Sequence, residues 1–122
     1  MSVNYKVGDH DTRPWGTWEV IAAGETYIVK KIVVFPGGEL SLQLHHHRDE
    51  HWIIAEGVAE VTLGDKIFSA PSNTPIFIKV GEKHRIANRT ENQVVFIEVQ
   101  TGDTLDENDI VRLEDKYGRI KA

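Results

Sequence analysis

Residues 37–57 read GGELSLQLHHHRDEHWIIAEG, and the way these side chains alternate decides the fold. Along a pleated strand, Ser41, Gln43 and His45 share one face, while Leu40, Leu42, Leu44 and His46 share the other. Three consecutive histidines therefore cannot aim at one point. Gln43 and His45 can converge, with His47 a marginal third where the strand ends. Arg48 and Asp49 turn the chain, and Glu50 opens a returning strand, so one hairpin offers a carboxylate and an imidazole together. A second stretch, VGEKHRIAN at 80–88, places His84 just after a turn at Gly81. Five of the six histidines fall in these two segments, a concentration that favours a site over chance; from the residues alone a metal site and a solvated polar turn both stay open.

Outward from that hairpin the chain continues as short β-branched and aromatic runs, including TWEVIAA, YIVKKIVVF, VAEVTL, PIFIK and QVVFIEVQT. Gly24, Pro36-Gly37-Gly38, Gly57, Gly64-Asp65, Pro71-Ser72-Asn73, Gly81 and Gly102 separate them, which makes many short strands and no long element. So many strands in 122 residues predict an all-β sandwich or barrel, because an open sheet would leave long unpaired edges. Only LDENDIVRLEDKYGR at 105–119 reads differently, as a short helical or irregular tail packed across the barrel. Leu40, Leu42 and Leu44 face away from the presumed pocket and need cover, from which a homodimer is expected.

The length fits one domain over 1–122 with one core and one pocket. A net charge of −5 with scattered Lys and Arg gives no basic stripe, so nucleic-acid binding is not expected. No run approaches a membrane span, and no targeting segment opens the chain, so the expectation is a soluble, cytoplasmic protein with no membrane partner. The absence of cysteine removes disulfides, thiolate nucleophiles and cysteine-type zinc sites. The ligand set that remains is His, Asp, Glu and neutral oxygens.

Those ligands are spaced in a familiar way. Gly37, five residues, Gln43-Leu44-His45, four residues, Glu50, six residues and Gly57 resemble the first cupin motif, with Gln43 in the place of its first histidine. Gly81, His84 and Asn88 resemble the second, although Lys79 stands where proline is usual. The resemblance implies a jelly-roll barrel, or double-stranded β-helix, with a divalent metal inside. Its ligands would be Gln43, His45, Glu50 and His84, a mixed N/O set suited first to zinc and also to Mn, Fe, Co or Ni. With only Glu50 charged, a divalent ion would keep a net charge of about +1 and act as a Lewis acid.

A narrower resemblance covers residues 13–119. RPWGTWEV, LSLQLHHHRDEHWII, IEVQTG and DIVRLEDKYGR are similar to the C-terminal cupin domain of type II phosphomannose isomerases, enzymes often fused to a mannose-1-phosphate guanylyltransferase. This implies interconversion of mannose 6-phosphate and fructose 6-phosphate, a proton transfer between C1 and C2 that needs an electrophile and a base. The metal would be the electrophile and Glu98 is the candidate base. Lys30, Arg112 and Arg13 are candidates for the sugar phosphate, and Trp15, Trp18 and Trp52 either stack on a sugar or fill the core. Guanylyltransferase activity is not expected, since no Gly-rich strand–loop signature occurs. Glu39 also departs from the family, where that position is often an arginine with a catalytic part. Two other readings follow: a non-catalytic sugar-binding or regulatory cupin, motivated by Glu39, and, ranked last, a metal-dependent oxygenase.

Overall fold

The computed structural model describes residues 2–3, 5–106 and 108–116. In chain order the strands are β1 (Ser2–Val3), β2 (His10–Arg13), β3 (Gly16–Ala23), β4 (Tyr27–Val34), β5 (Leu42–Leu44), β6 (Asp49–Glu56) and β7 (Val58–Leu63). They continue as β8 (Lys66–Pro71), β9 (Pro75–Ile78), β10 (His84–Ala87), β11 (Val94–Thr101), β12 (Thr104–Leu105) and β13 (Val111–Glu114). Two antiparallel sheets face each other, one ordered β2-β3-β4-β11-β6-β9 and the other β13-β5-β10-β7-β8, while β1 and β12 form a small parallel pair. This is the expected all-β jelly roll, and among the described residues there is no helix.

Period-two patterning explains which side chains lie between the sheets. On β4 the inward residues are Ile28, Lys30, Ile32 and Val34; on β6 they are Glu50, Trp52 and Ile54, all buried. Pairing aligns Phe96 with Ile32 and Ile54, Glu98 with Lys30 and Trp52, and Gln100 with Ile28 and Glu50. The inner face of the six-stranded sheet is thus apolar at one end and charged at the other. The apolar end, with Val34, Ile54, Val61, Ile76, Ile86 and Phe96, is the main core. The charged end holds four polar groups that no core would accept unless they were paired.

Glycines set the hairpins that bring the two sheets together. Gly57 joins β6 to β7 at φ 80°, and a Cβ there would stand 2.5 Å from the Gln93 carbonyl oxygen, so both conformation and space demand glycine. Gly37, at φ 79°, turns the chain after β4, and its N–H donates to the Asn88 carbonyl, tying the first motif to the second.

Two expectations are corrected here. The tail is not a helical turn where it is described: Val111–Glu114 is a strand that pairs antiparallel with β5, Arg112 opposite Gln43. An open β5 edge beside the alternating sequence VRLE outweighs the acidic start that suggested a helix. Residues 107 and 117–119 of that tail lie outside the described residues. The face assigned to Leu40 is also wrong. The strand is interrupted between the isolated Glu39–Ala87 bridge and β5, so alternation does not carry through. Leu40 packs on the main core and lines the cavity with Gln43, which removes it from the argument for a partner subunit.

Candidate functional site

His45 leaves the end of β5, Glu50 stands on β6, and His84 opens β10 opposite Gln43 in register. One ligand atom from each of His45, Glu50 and His84 lies within 4.8 Å of the others, and all three residues are buried. Both imidazoles have their tautomers set by backbone carbonyls. His45 Nδ1 donates to the Asp109 oxygen and His84 Nδ1 donates to that of Glu82 at 2.9 Å, which turns both Nε2 atoms toward the carboxylate. His45 Nε2 stands 3.0 Å and His84 Nε2 3.9 Å from Glu50 oxygens. Gln43 lines the adjoining recess of about 20 Å³ with Glu50, His84 and Glu98, and its amide NH₂ donates to Ser41 Oγ at 3.1 Å. Such a recess takes one small ion or one water.

The donor set and the inward Nε2 atoms, oriented by the Nδ1 contacts, fit a divalent cation. Burial lowers the pKa of His84, with the Glu50 charge opposing, so the imidazole is kept neutral as a metal ligand must be. Burial also works against an ionised Glu50, but the Arg48 guanidinium, His45 and His84 together outweigh it and hold this carboxyl well below the usual range.

Arg48 was read from the sequence as part of a turn; it instead points inward. Its Nε donates to Glu50 Oε2 at 2.8 Å, and its terminal nitrogen lies 3.2 Å from His45 Nε2. A signal was present, since Arg48 and Glu50 are two apart and so face the same way. Trp52, which the sequence left as a stacking or core residue, is both buried and functional in geometry. Its Nε1–H is shared between Glu50 Oε1 at 3.0 Å and Glu98 Oε1 at 3.1 Å. Gln100 Nε2 donates to the other Glu98 oxygen at 2.9 Å. Burial and the neighbouring Glu50 charge raise the Glu98 pKa to about 7. Two carboxyls on one indole are thus driven apart, Glu50 ionised down into the acid range and Glu98 titrating near neutral pH.

Beside this cluster opens a cavity of about 500 Å³. Its described lining carries four cations, Arg13, Lys30, Arg48 and Arg112, and a single carboxyl, Glu98, among the aromatic rings of Tyr5, Trp15 and Trp18. All three sequence candidates for phosphate binding therefore reach one space. Lys30 Nζ lies 4.1 Å from the Tyr5 ring centroid and 4.6 Å from that of Trp18, which holds the ammonium at the wall. Arg13 pairs with Asp11 at 2.8 Å at the more exposed rim. Glu39 is absent from this lining: it pairs with Arg89 and, at 3.9 Å, with Arg85. Its negative charge is therefore spent outside the cavity. His46 and His47 present their backbone N–H groups to the Asp109 carboxylate, and exposed His51 stacks on Phe77 at 4.6 Å; none of these rings joins the site.

The family model for the mannose-6-phosphate isomerase C-terminal domain matches residues 3–115. The chain belongs to that family. Relatives include the xanthan biosynthesis protein XanB of Xanthomonas campestris, 50% identical over 107 residues, covering 88% of this chain and 23% of that protein. The alginate biosynthesis protein AlgA of Pseudomonas aeruginosa is 49% identical over 88% of this chain and 22% of its own length. The mannose-1-phosphate guanylyltransferase ManC of Salmonella typhimurium is 45% identical, again over 88% and 22%. Among solved structures, the capsular polysaccharide assembling protein CapF of Staphylococcus aureus aligns with TM-score 0.74 at 21% identity, over 92% of this chain and 33% of that one. A Klebsiella pneumoniae protein with a double-stranded β-helix domain aligns with TM-score 0.74 at 18% identity, over 86% and 84%. These likenesses establish the cupin fold.

The comparison corrects the expected function. The chain spans less than a quarter of the curated relatives it matches, and those relatives are named for guanylyl transfer or polysaccharide biosynthesis. Conversion of mannose 6-phosphate to fructose 6-phosphate by this chain is therefore withdrawn; the resemblance that suggested it belongs to one part of larger enzymes. The same relatives lend no support to the expectation that guanylyltransferase activity is absent. Among the described residues no helix is long and apolar enough to cross a membrane.

Proposed function

We propose that the chain is a non-catalytic cupin that binds a phosphorylated hexose of the mannose series. The observation that carries this reading is the lining of the cavity, with four cations against one carboxyl that titrates near neutrality. Lys30 and Arg112, on facing sheets, take the phosphate, Arg13 adds charge at the rim, and Trp15 and Trp18 offer flat faces to the sugar ring. Glu98, which titrates near neutrality, offers its carboxyl to a sugar hydroxyl, in place of the base first expected. A divalent ion, zinc first among those expected, would be held by His45, Glu50, His84 and Gln43 and would supply a Lewis-acid contact to a sugar oxygen. Support for binding without turnover comes from position 39. The catalytic arginine implied there by the family resemblance is replaced by Glu39, which is directed to Arg89 and Arg85.

Calorimetry with mannose 6-phosphate and with mannose tests this. The phosphorylated sugar is expected to bind more tightly, and Lys30→Ala and Arg112→Ala are each expected to weaken it about tenfold to hundredfold, the loss of a charge-assisted contact of about 1.5–3 kcal/mol. A coupled assay should detect no fructose 6-phosphate. Equal affinity for mannose and its phosphate would sink the reading of the cavity; measurable turnover would sink the non-catalytic part.

A further inference from the structure

His45 Nε2 and Glu50 Oε2 stand 3.0 Å apart, and the Arg48 guanidinium lies against both atoms, with one N–H on Glu50 Oε2 at 2.8 Å and another nitrogen at 3.2 Å from His45 Nε2. A fixed cation thus contacts the two ligand atoms that a metal would have to join. We propose that Arg48 is a built-in competitor of the divalent ion, satisfying His45 and Glu50 until metal displaces it into the adjoining cavity, where it joins the phosphate-binding cations.

The charges make the two states exclusive. Glu50 is the one ionised carboxylate among the three ligands, and it cannot balance a divalent ion and a guanidinium together in a buried site. The way out is open on one side. Arg48 already lines the 500 Å³ cavity, and its second terminal nitrogen reaches toward the Asp106 carbonyl at 3.4 Å. A guanidinium driven to that side would add positive charge beside Lys30 and Arg112, and an anion there would stabilise it. Metal and phosphate ester then favour one another, and by linkage each tightens the other by the same factor. The coupling rests on the proposed phosphosugar site; the competition between Arg48 and metal does not.

The experiment measures zinc affinity by competition with a chromophoric chelator, for the wild-type protein and Arg48→Met, with and without mannose 6-phosphate. Arg48→Met is expected to bind zinc at least tenfold more tightly than wild type. Arg48→Lys, which keeps a cation at this place, is expected to stay closer to wild type. Mannose 6-phosphate should tighten zinc binding to the wild type and leave Arg48→Met unchanged. Zinc binding that is equal or weaker in Arg48→Met, or absent from both proteins, overturns the proposal. If Arg48→Met fails to fold, the wild-type coupling decides alone: zinc affinity indifferent to the sugar phosphate, in a protein that binds the sugar phosphate, overturns it. Loss of sugar-phosphate binding with the Arg48→Met gain intact would fault the functional reading and leave the competition standing.

Discussion

Glu50→Ala should destabilise the protein by about 3–5 kcal/mol, because it strands a buried guanidinium. Arg48 is 7% exposed, and its upward pKa shift runs against burial because Glu50 and then Glu98 hold its charge. Removing Glu50 takes away the Arg48 Nε contact at 2.8 Å and one of the two acceptors of the Trp52 indole. In a domain of this size the melting temperature should fall by roughly 10–20 °C. A double variant, Arg48→Met with Glu50→Leu, removes both charges and should recover most of that loss, since a buried ion pair replaced by apolar groups is often near neutral. Thermal melts of the two proteins and wild type check this. A single variant within about 1 kcal/mol of wild type would mean that the pair is not the buried anchor described.

The second large effect is expected at Asn88, the last residue of the second motif. It is 0% exposed, and its amide joins three pieces of backbone. Nδ2 donates to the carbonyls of Val34 at 3.0 Å and Asn92 at 2.7 Å, while Oδ1 accepts from the Thr90 N–H at 3.0 Å and hydroxyl at 2.7 Å. Its backbone adds the pair of bonds to Gly37 and Gly38. Asn88→Ala keeps the backbone pair but strips the buried Val34 carbonyl of this donor and the Thr90 N–H of its acceptor, while the exposed Asn92 carbonyl keeps the Thr90 hydroxyl, at a cost of about 1–3 kcal/mol. Asn88→Asp should be at least as damaging, because a carboxylate cannot donate to the two carbonyls. Urea unfolding should show a lower midpoint with an unchanged slope. A midpoint shift worth less than about 0.5 kcal/mol would remove Asn88 from its role as the clasp between the motifs.

Much of the architecture was legible because strands alternate and glycines punctuate them. The spacing from Gly37 to Gly57 and from Gly81 to Asn88 pointed to His45, Glu50 and His84, whose ligand atoms lie within 4.8 Å of one another, since each is set by a strand face and a turn close by in sequence. Lys30, Arg112 and Arg13 were identified as matched words of the family, and the structure shows the space they share. What stayed hidden depends on distant pairing. The Asp109 carbonyl that fixes the His45 tautomer is 64 residues away, and Tyr5 meets Lys30 only through the fold. Leu40 was misplaced because alternation was carried through an interrupted strand. The segment at 111–114 was misread because the open edge that recruits it is formed elsewhere in the chain. Arg48 was near at hand and still overlooked, since a turn position suggests solvent and only the buried Glu50 draws the guanidinium inward.

The most direct test of the cavity and its ligand is a crystal structure of the protein grown with saturating mannose 6-phosphate. The phosphate is expected between Lys30 and Arg112, within hydrogen-bonding distance of both, with the sugar ring against Trp15 or Trp18. Ligand density elsewhere on the surface, or this cavity filled only by solvent, would contradict the account.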